Sequence, residues 1–249
     1  MIDKNTINCG KHGNCNATFI CNHLVNGKNL GFNCGYDEDN TDETHPDAWC
    51  DECDQIFEKE GWTDKAAKFA DIKVLCASCY EEIRLRNWYD NEDKFDELIR
   101  ESYSYMEDKQ KDLMEKYKIG SYERWDWDQE TGLLVFSHDG ITRVEAKICF
   151  SGSLSTISNT WLWSWGNTST KESMKSEARK VRDLGDDLNI MKLSCAKWKA
   201  DEIDGWEMTI IMAKELKSIG VYRTPNEKGF SYMVISDAWW VNENGKRMK

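Results

Sequence analysis

Cys50-Asp51-Glu52-Cys53 and Cys76-Ala77-Ser78-Cys79 are two C-x2-C pairs separated by 22 residues, and their reading decides how the first third of this chain folds. Two residues between cysteines let both thiolates reach one ion from a tight turn, and a second such pair completes a tetrahedron. After Cys79 the run Tyr80-Glu81-Glu82-Ile83-Arg84-Leu85-Arg86 has a helical pattern, so the second pair opens a helix. There, backbone N–H groups and the helix dipole favour thiolates. Upstream, Cys9-Gly10-Lys11-His12 and Cys21-Asn22-His23 supply two further ligand pairs. The expectation is structural Zn2+, one ion on Cys50, Cys53, Cys76 and Cys79 and a second on Cys9, His12, Cys21 and His23. Cys15 and Cys34 are alternates in the second set, and the pairs can be used sequentially or interleaved as in a cross-brace.

The helix-opening pair looks like a treble-clef or zinc-ribbon finger. Disulfides are the competing use of these thiols, but the N-terminus Met1-Ile2-Asp3-Lys4-Asn5 lacks the basic and apolar regions of a secretory signal. A catalytic ion is not expected, because four thiolates close the tetrahedron. The nucleobase-deaminase pattern also fails: Pro46 stands four residues before Cys50, and no H-x-E precedes it.

Eight of the ten cysteines lie between Cys9 and Cys79. A boundary near Asn87 thus separates a Cys/His-rich module, 1–87, from a larger module, 88–249. The 249 residues carry 45 acids against 33 bases, a net charge of −12, which argues against a surface that tracks nucleic-acid phosphates. It is compatible with a basic protein partner. No apolar run approaches the roughly 18 residues of a membrane helix, so a cytoplasmic protein without a membrane partner is expected.

The second module reads as α+β, a mostly antiparallel sheet with packed helices. Phe95, Leu98, Ile99, Met106, Leu113 and Tyr117 form one stripe of a helix over 92–118. Strands follow at 133–136 and 142–150 around the turn Asp139-Gly140, then at 160–167. Ser169 and Glu172 fit a capping box for a helix to Leu188, residues 191–198 look extended, and Asp201 caps a helix to about Ile219. Phe230–Val241 reads as a central strand.

In Trp161-Leu162-Trp163-Ser164-Trp165-Gly166-Asn167 the tryptophans share one strand face. They read first as a layer buried beneath helices, and alternatively as an aromatic platform for a ligand or partner. No P-loop, nucleophile elbow or dinucleotide fingerprint occurs. His138 stands beside a turn, and Cys149 and Cys195 read as core thiols in strands.

With Tyr122-Glu123-Arg124-Trp125-Asp126-Trp127-Asp128 and Gly220-Val221-Tyr222-Arg223-Thr224-Pro225, this Trp strand resembles an uncharacterised bacterial domain family across about residues 92–241. The Cys/His-rich part looks like a module that accompanies such domains. The resemblance implies a bacterial, cytoplasmic protein and no activity. The function expected is therefore non-enzymatic protein binding, as in an immunity protein that neutralises a basic toxin. Its docking surface would be the acidic stretch Asp37, Glu38, Asp39, Asp42, Glu43 and Asp47, which continues to Asp51, Glu52 and Asp54 without a Lys or Arg. The alternatives are an enzyme using a Trp-lined pocket with Asp126 and Asp128, and a zinc-dependent nucleic-acid-binding protein, which the charge disfavours.

Overall fold

The computed structural model describes residues 6–35, 45–88, 91–128 and 130–248. The chain divides into two units, Met1–Asp90 and Asn91–Lys249.

In the first unit β1 (Thr6–Cys9) and β2 (Gly13–Ile20) form an antiparallel hairpin. Gly13, at φ +72°, supplies the left-handed step that leaves the Cys9–His12 turn. α1 (Asn22–Asn26) and β3 (Asn33–Gly35) follow, then β4 (Asp47–Trp49), α2 (Asp51–Glu60), α3 (Asp64–Ala70), β5 (Lys73–Cys76) and α4 (Ala77–Asn87). Two pairings of β2 position everything else. β5 runs antiparallel to it with Ala17 opposite Cys76, and β4 joins it in parallel at Ile20 and Ala48. Ile20, Leu24, Phe32, Ala48, Tyr80 and Ile83 form the core.

The second unit opens with α5 (Glu92–Tyr117), whose apolar stripe buries Phe95, Met106, Leu113 and Tyr117. The strands are β6 (Arg124–Asp128), β7 (Leu133–His138), β8 (Ile141–Ser155) and β9 (Thr160–Trp163). α6 (Glu172–Leu188), α7 (Met191–Ser194), β10 (Lys197–Lys199), α8 (Glu202–Glu215), β11 (Gly220–Asn226) and β12 (Gly229–Trp240) complete it. Every pairing in the sheet is antiparallel. The long β8 is its spine, with β12 along one side. On the other side β7 pairs residues 141–147 and β9 pairs residues 152–155. Ser151 is left out of the β8–β12 register between Phe150 and Gly152, a bulge of the kind that bends a strand. The fold is α+β.

Three local expectations need correction. The strand expected over 160–167 ends at Trp163, so Trp165 lies in the turn beyond it. Ser169 does not cap α6: its N-cap is Lys171 without a side-chain cap, and the Ser169 hydroxyl donates to Asn167 Oδ1 instead. Residues 191–198 are not one extended run, because Met191–Ser194 is a helical turn and Cys195 caps it outside any strand. Asp201 does close a capping box, with Asp204, at the start of α8. No helix among the described residues is long and apolar enough to cross a membrane.

Candidate metal centres

The turn after β1 places Cys9 and His12 beside Cys76 and Cys79 at the start of α4. The end of β2 places Cys21 and His23 beside Cys50 and Cys53 at the start of α2. Each cluster joins three cysteines to one histidine, and each can hold a metal ion. The expected grouping is thereby corrected: Cys50 and Cys53 share no site with Cys76 and Cys79, nor Cys9 and His12 with Cys21 and His23. The wiring is neither sequential nor a cross-brace but nested, first pair with fourth and second with third.

Strand pairing is the physical reason. Ala17 opposite Cys76 carries the start of α4 to the open end of the β1–β2 hairpin. The Ile20–Ala48 step sets Cys21 N–H on Ala48 O at 2.9 Å and Cys50 N–H on Cys21 Sγ at 3.4 Å. Cys50 and Cys76 are the N-cap residues of α2 and α4, so both centres lie at helix N-termini, and at α4 the Cys79 N–H donates to Cys76 Sγ at 3.4 Å.

The donor geometry fits an ion of zinc's size. A tetrahedron with Zn–S of about 2.3 Å and Zn–N of about 2.0 Å has S···N edges of about 3.5 Å and S···S edges of about 3.8 Å. His12 Nδ1 lies 3.7, 3.4 and 3.5 Å from the sulfurs of Cys9, Cys76 and Cys79, and Cys9 Sγ lies 3.9 Å from Cys79 Sγ. His23 Nδ1 lies 3.7 and 3.3 Å from Cys50 and Cys53.

Both histidines turn Nδ1 inward. His12 Nε2 then faces Glu82 Oε1 at 3.5 Å, and Glu82 also takes both hydrogen bonds of Lys11 Nζ, at 2.6 and 2.8 Å. Glu82 is thus the carboxylate beside the outer face of the imidazole, where it would orient the ring if His12 holds a metal. Sequence reading missed it; its place at the first helical turn after Cys79 was the available signal. His23 has an aromatic neighbour instead, its ring 4.7 Å from that of Phe69.

Electrostatics favour the thiolate at Cys9 in one cluster and at Cys50 in the other. Backbone hydrogen bonds from Lys11 and then His12 lower Cys9 to about 6. Hydrogen bonding from Cys21, ahead of opposing burial, lowers Cys50 to about 5. Burial is the first cause that pushes Cys53 and Cys79 up to about 12, while hydrogen bonding to Cys50 and burial raise Cys21. A divalent cation entering the clusters therefore displaces protons from the raised thiols, Cys79 in one and Cys21 and Cys53 in the other. Cys15 and Cys34 stand outside both sets, against His12 O at 3.6 Å and Tyr80 Oη at 3.7 Å.

Other expected site residues fall elsewhere. Trp161, Trp163 and Trp165 are at most 1% exposed, so they form no aromatic platform. Trp161 packs edge-on to Trp163 and Tyr232, and Trp163 Nε1 donates to Lys192 O at 2.8 Å. Nor do Asp126 and Asp128 join them, since β6 lies along the other half of the sheet. Asp126 pairs with Arg124, and Asp128 accepts from Glu130 N–H and the Thr131 hydroxyl. His138 is exposed between Glu123 and Asp139. Cys149 lies in β8, its pKa raised by burial. Of the acidic stretch, Asp37, Glu38, Asp39, Asp42 and Glu43 lie outside the described residues; Asp47 is exposed, and Asp54 accepts from Trp49 Nε1 at 2.8 Å.

Two clusters of three cysteines and a histidine in one unit, and an antiparallel sheet packed with helices in the other, define an α+β protein with a Cys/His-rich module that can hold metal. The second unit carries its family: the model of DUF6882, a family of unknown function, matches residues 96–238, more than half of the chain, and the chain belongs to that family. No curated protein and no solved structure matches it.

Proposed function

We propose that this is a non-catalytic binding protein whose first unit, held by two structural zinc ions, docks a basic protein partner through an aromatic pocket. The observation that carries the reading is an apolar surface beside the metal centres. Phe19 and Val74 are cross-strand partners on β2 and β5, and they are 45% and 48% exposed. Ile72 and Trp62 extend the patch, and with Phe19, Asp47, Ala48 and Trp49 they line a pocket of about 220 Å³. Trp49 and Trp62, in its wall, cluster with Phe57, their ring centroids 5.2–5.8 Å apart. Contiguous exposed aromatic surface of this kind supports protein recognition, with one apolar anchor filling the pocket.

Charge supports a basic partner. Residues 1–87 hold 16 acids and 9 bases, and Asp47 stands in the pocket wall. Four protein ligands per ion leave no coordination position for a reacting water, which supports a structural role for the zinc. Neutralisation of a toxin, the role expected of an immunity protein, is the particular case in which the partner is encoded by the adjacent gene.

Co-expression with that gene product tests the reading. A stable complex is expected, lost on Phe19→Asp with Trp62→Asp while zinc content stays at two per chain, and formed more slowly as salt rises. Absence of a complex, or a complex indifferent to both substitutions, contradicts it.

A further inference from the structure

The signature Trp strand has a second face. Register across the second unit aligns Phe230, Leu154, Trp161 and Trp198 in one row, all turned into the core beneath the helices. The neighbouring rows point the opposite way. One is Ser231, Ser153, Leu162 and Lys197, and the other is Gly229, Ser155, Thr160 and Lys199. The alternation that buries the tryptophans therefore assembles hydroxyls and ammonium groups from four strands on the far side.

This face is a groove. Two loops wall it, one carrying Asn167 and Ser169, the other Asn226 and Lys228, around a volume of about 570 Å³. Small-ligand sites span ~300–1,000 Å³. The walls are braced from within. Asn167 Oδ1 accepts from Ser169 N and Oγ at 3.0 and 2.7 Å. Asn226 donates to Ser231 Oγ at 3.0 Å and accepts from Lys228 N at 2.9 Å. Lys199 Nζ ties down the β8–β9 turn at Ser158 O, 2.9 Å away.

We infer that the groove binds a small phosphate ester of a polyol, the chemistry of a sugar phosphate. Lys197 and Lys228 line it against a single acid, Glu227, a local positive excess in a chain of net charge −12. Ammonium groups on flexible stems suit a phosphate as point charges. Ser153, Ser155, Ser158 and Thr160 both donate and accept, as ligand hydroxyls require. Among the described residues no aromatic ring lines the groove to stack a nucleobase, and Leu162 is its one apolar side chain, since Leu154 reaches it only through its backbone, which disfavours a lipid chain.

The test is amide-resolved NMR on the full chain with its metals. Ribose 5-phosphate, glucose 6-phosphate and glycerol 3-phosphate are titrated in turn, with inorganic phosphate and glucose as separate arms. At least one ester is expected to give saturable shifts at residues 153–155, 160–162 and 226–228, at least ten-fold more tightly than phosphate or glucose. Lys197→Ala with Lys228→Ala is expected to weaken it at least ten-fold, with the spectrum elsewhere unchanged; Lys197→Gln and Lys228→Gln singly serve if the double variant misfolds. No saturable shift with any ester, equal binding of phosphate alone, or undiminished binding in the variants overturns the inference.

Discussion

His12 faces three sulfurs through Nδ1 and Glu82 through Nε2, which places one carboxylate to support the imidazole at the first centre. Glu82→Gln is expected to weaken metal binding there by roughly 10–100-fold and to leave the second centre unchanged, read by competition with a chromogenic chelator. Its neighbour Glu81 has a different task. It accepts from His45 Nε2 at 2.9 Å and pairs with Arg84, which is 4% exposed. Burial alone would raise the Glu81 pKa, but hydrogen bonding from His45 and the Arg84 charge more than offset it, so the carboxyl titrates below its ordinary 4.5. A depressed native pKa gives stability that is present above pH ~4.5 and lost as the pH falls through the lower native value. Glu81→Gln is expected to cost about 2 kcal/mol at pH 7 in denaturant unfolding, because Arg84 loses its charged partner, and the difference from the parent should shrink toward pH 3. The eight residues of the two clusters were legible from pair spacing, a local property. Their grouping was not. It depends on Ala17 meeting Cys76 and Ile20 meeting Ala48, and strands this short carry no signal for their partners.

Among the elements, β8 carries the most structure, and its bulge at Ser151 shows why the signature strand sits where it does. Just beyond the bulge, Gly152 faces Trp163 on β9 and Tyr232 on β12. A Cβ at Gly152 would come within 2.5 Å of Leu162 O and 2.7 Å of the Trp161 ring. Gly152→Ala is therefore expected to destabilise the second unit by about 1–3 kcal/mol in denaturant unfolding. A loss below about 0.5 kcal/mol would mean that the tryptophan layer yields more readily than its packing indicates. Alternation made this layer readable in advance, and the stripe from Phe95 to Tyr117 did the same for α5. The α6 cap was misread because a capping-box spacing cannot reveal that Ser169 is already engaged by Asn167. The turn at Met191–Ser194 is too short for any periodicity to show.

At the scale of the molecule, each unit has its own core, and among the described residues the two buried or half-buried Cys3His clusters both lie in the first, while the second has only the exposed group Glu123, His138 and Asp139. Removing metal with a strong chelator is expected to abolish the cooperative unfolding transition of the first unit and to leave that of the second in place. Calorimetry with and without chelator reads this, and a single transition lost as a whole would contradict it. The nested wiring needs a probe of each ion separately. Two sites of three thiolates and one imidazole have the same average ligand set as one four-thiolate site beside one of two thiolates and two imidazoles. ¹¹³Cd NMR of the cadmium-exchanged protein resolves the two ions. Two resonances are expected, both in the range of three thiolates and one imidazole; one resonance of four-thiolate type beside one of two-thiolate, two-imidazole type would contradict the nested pairing.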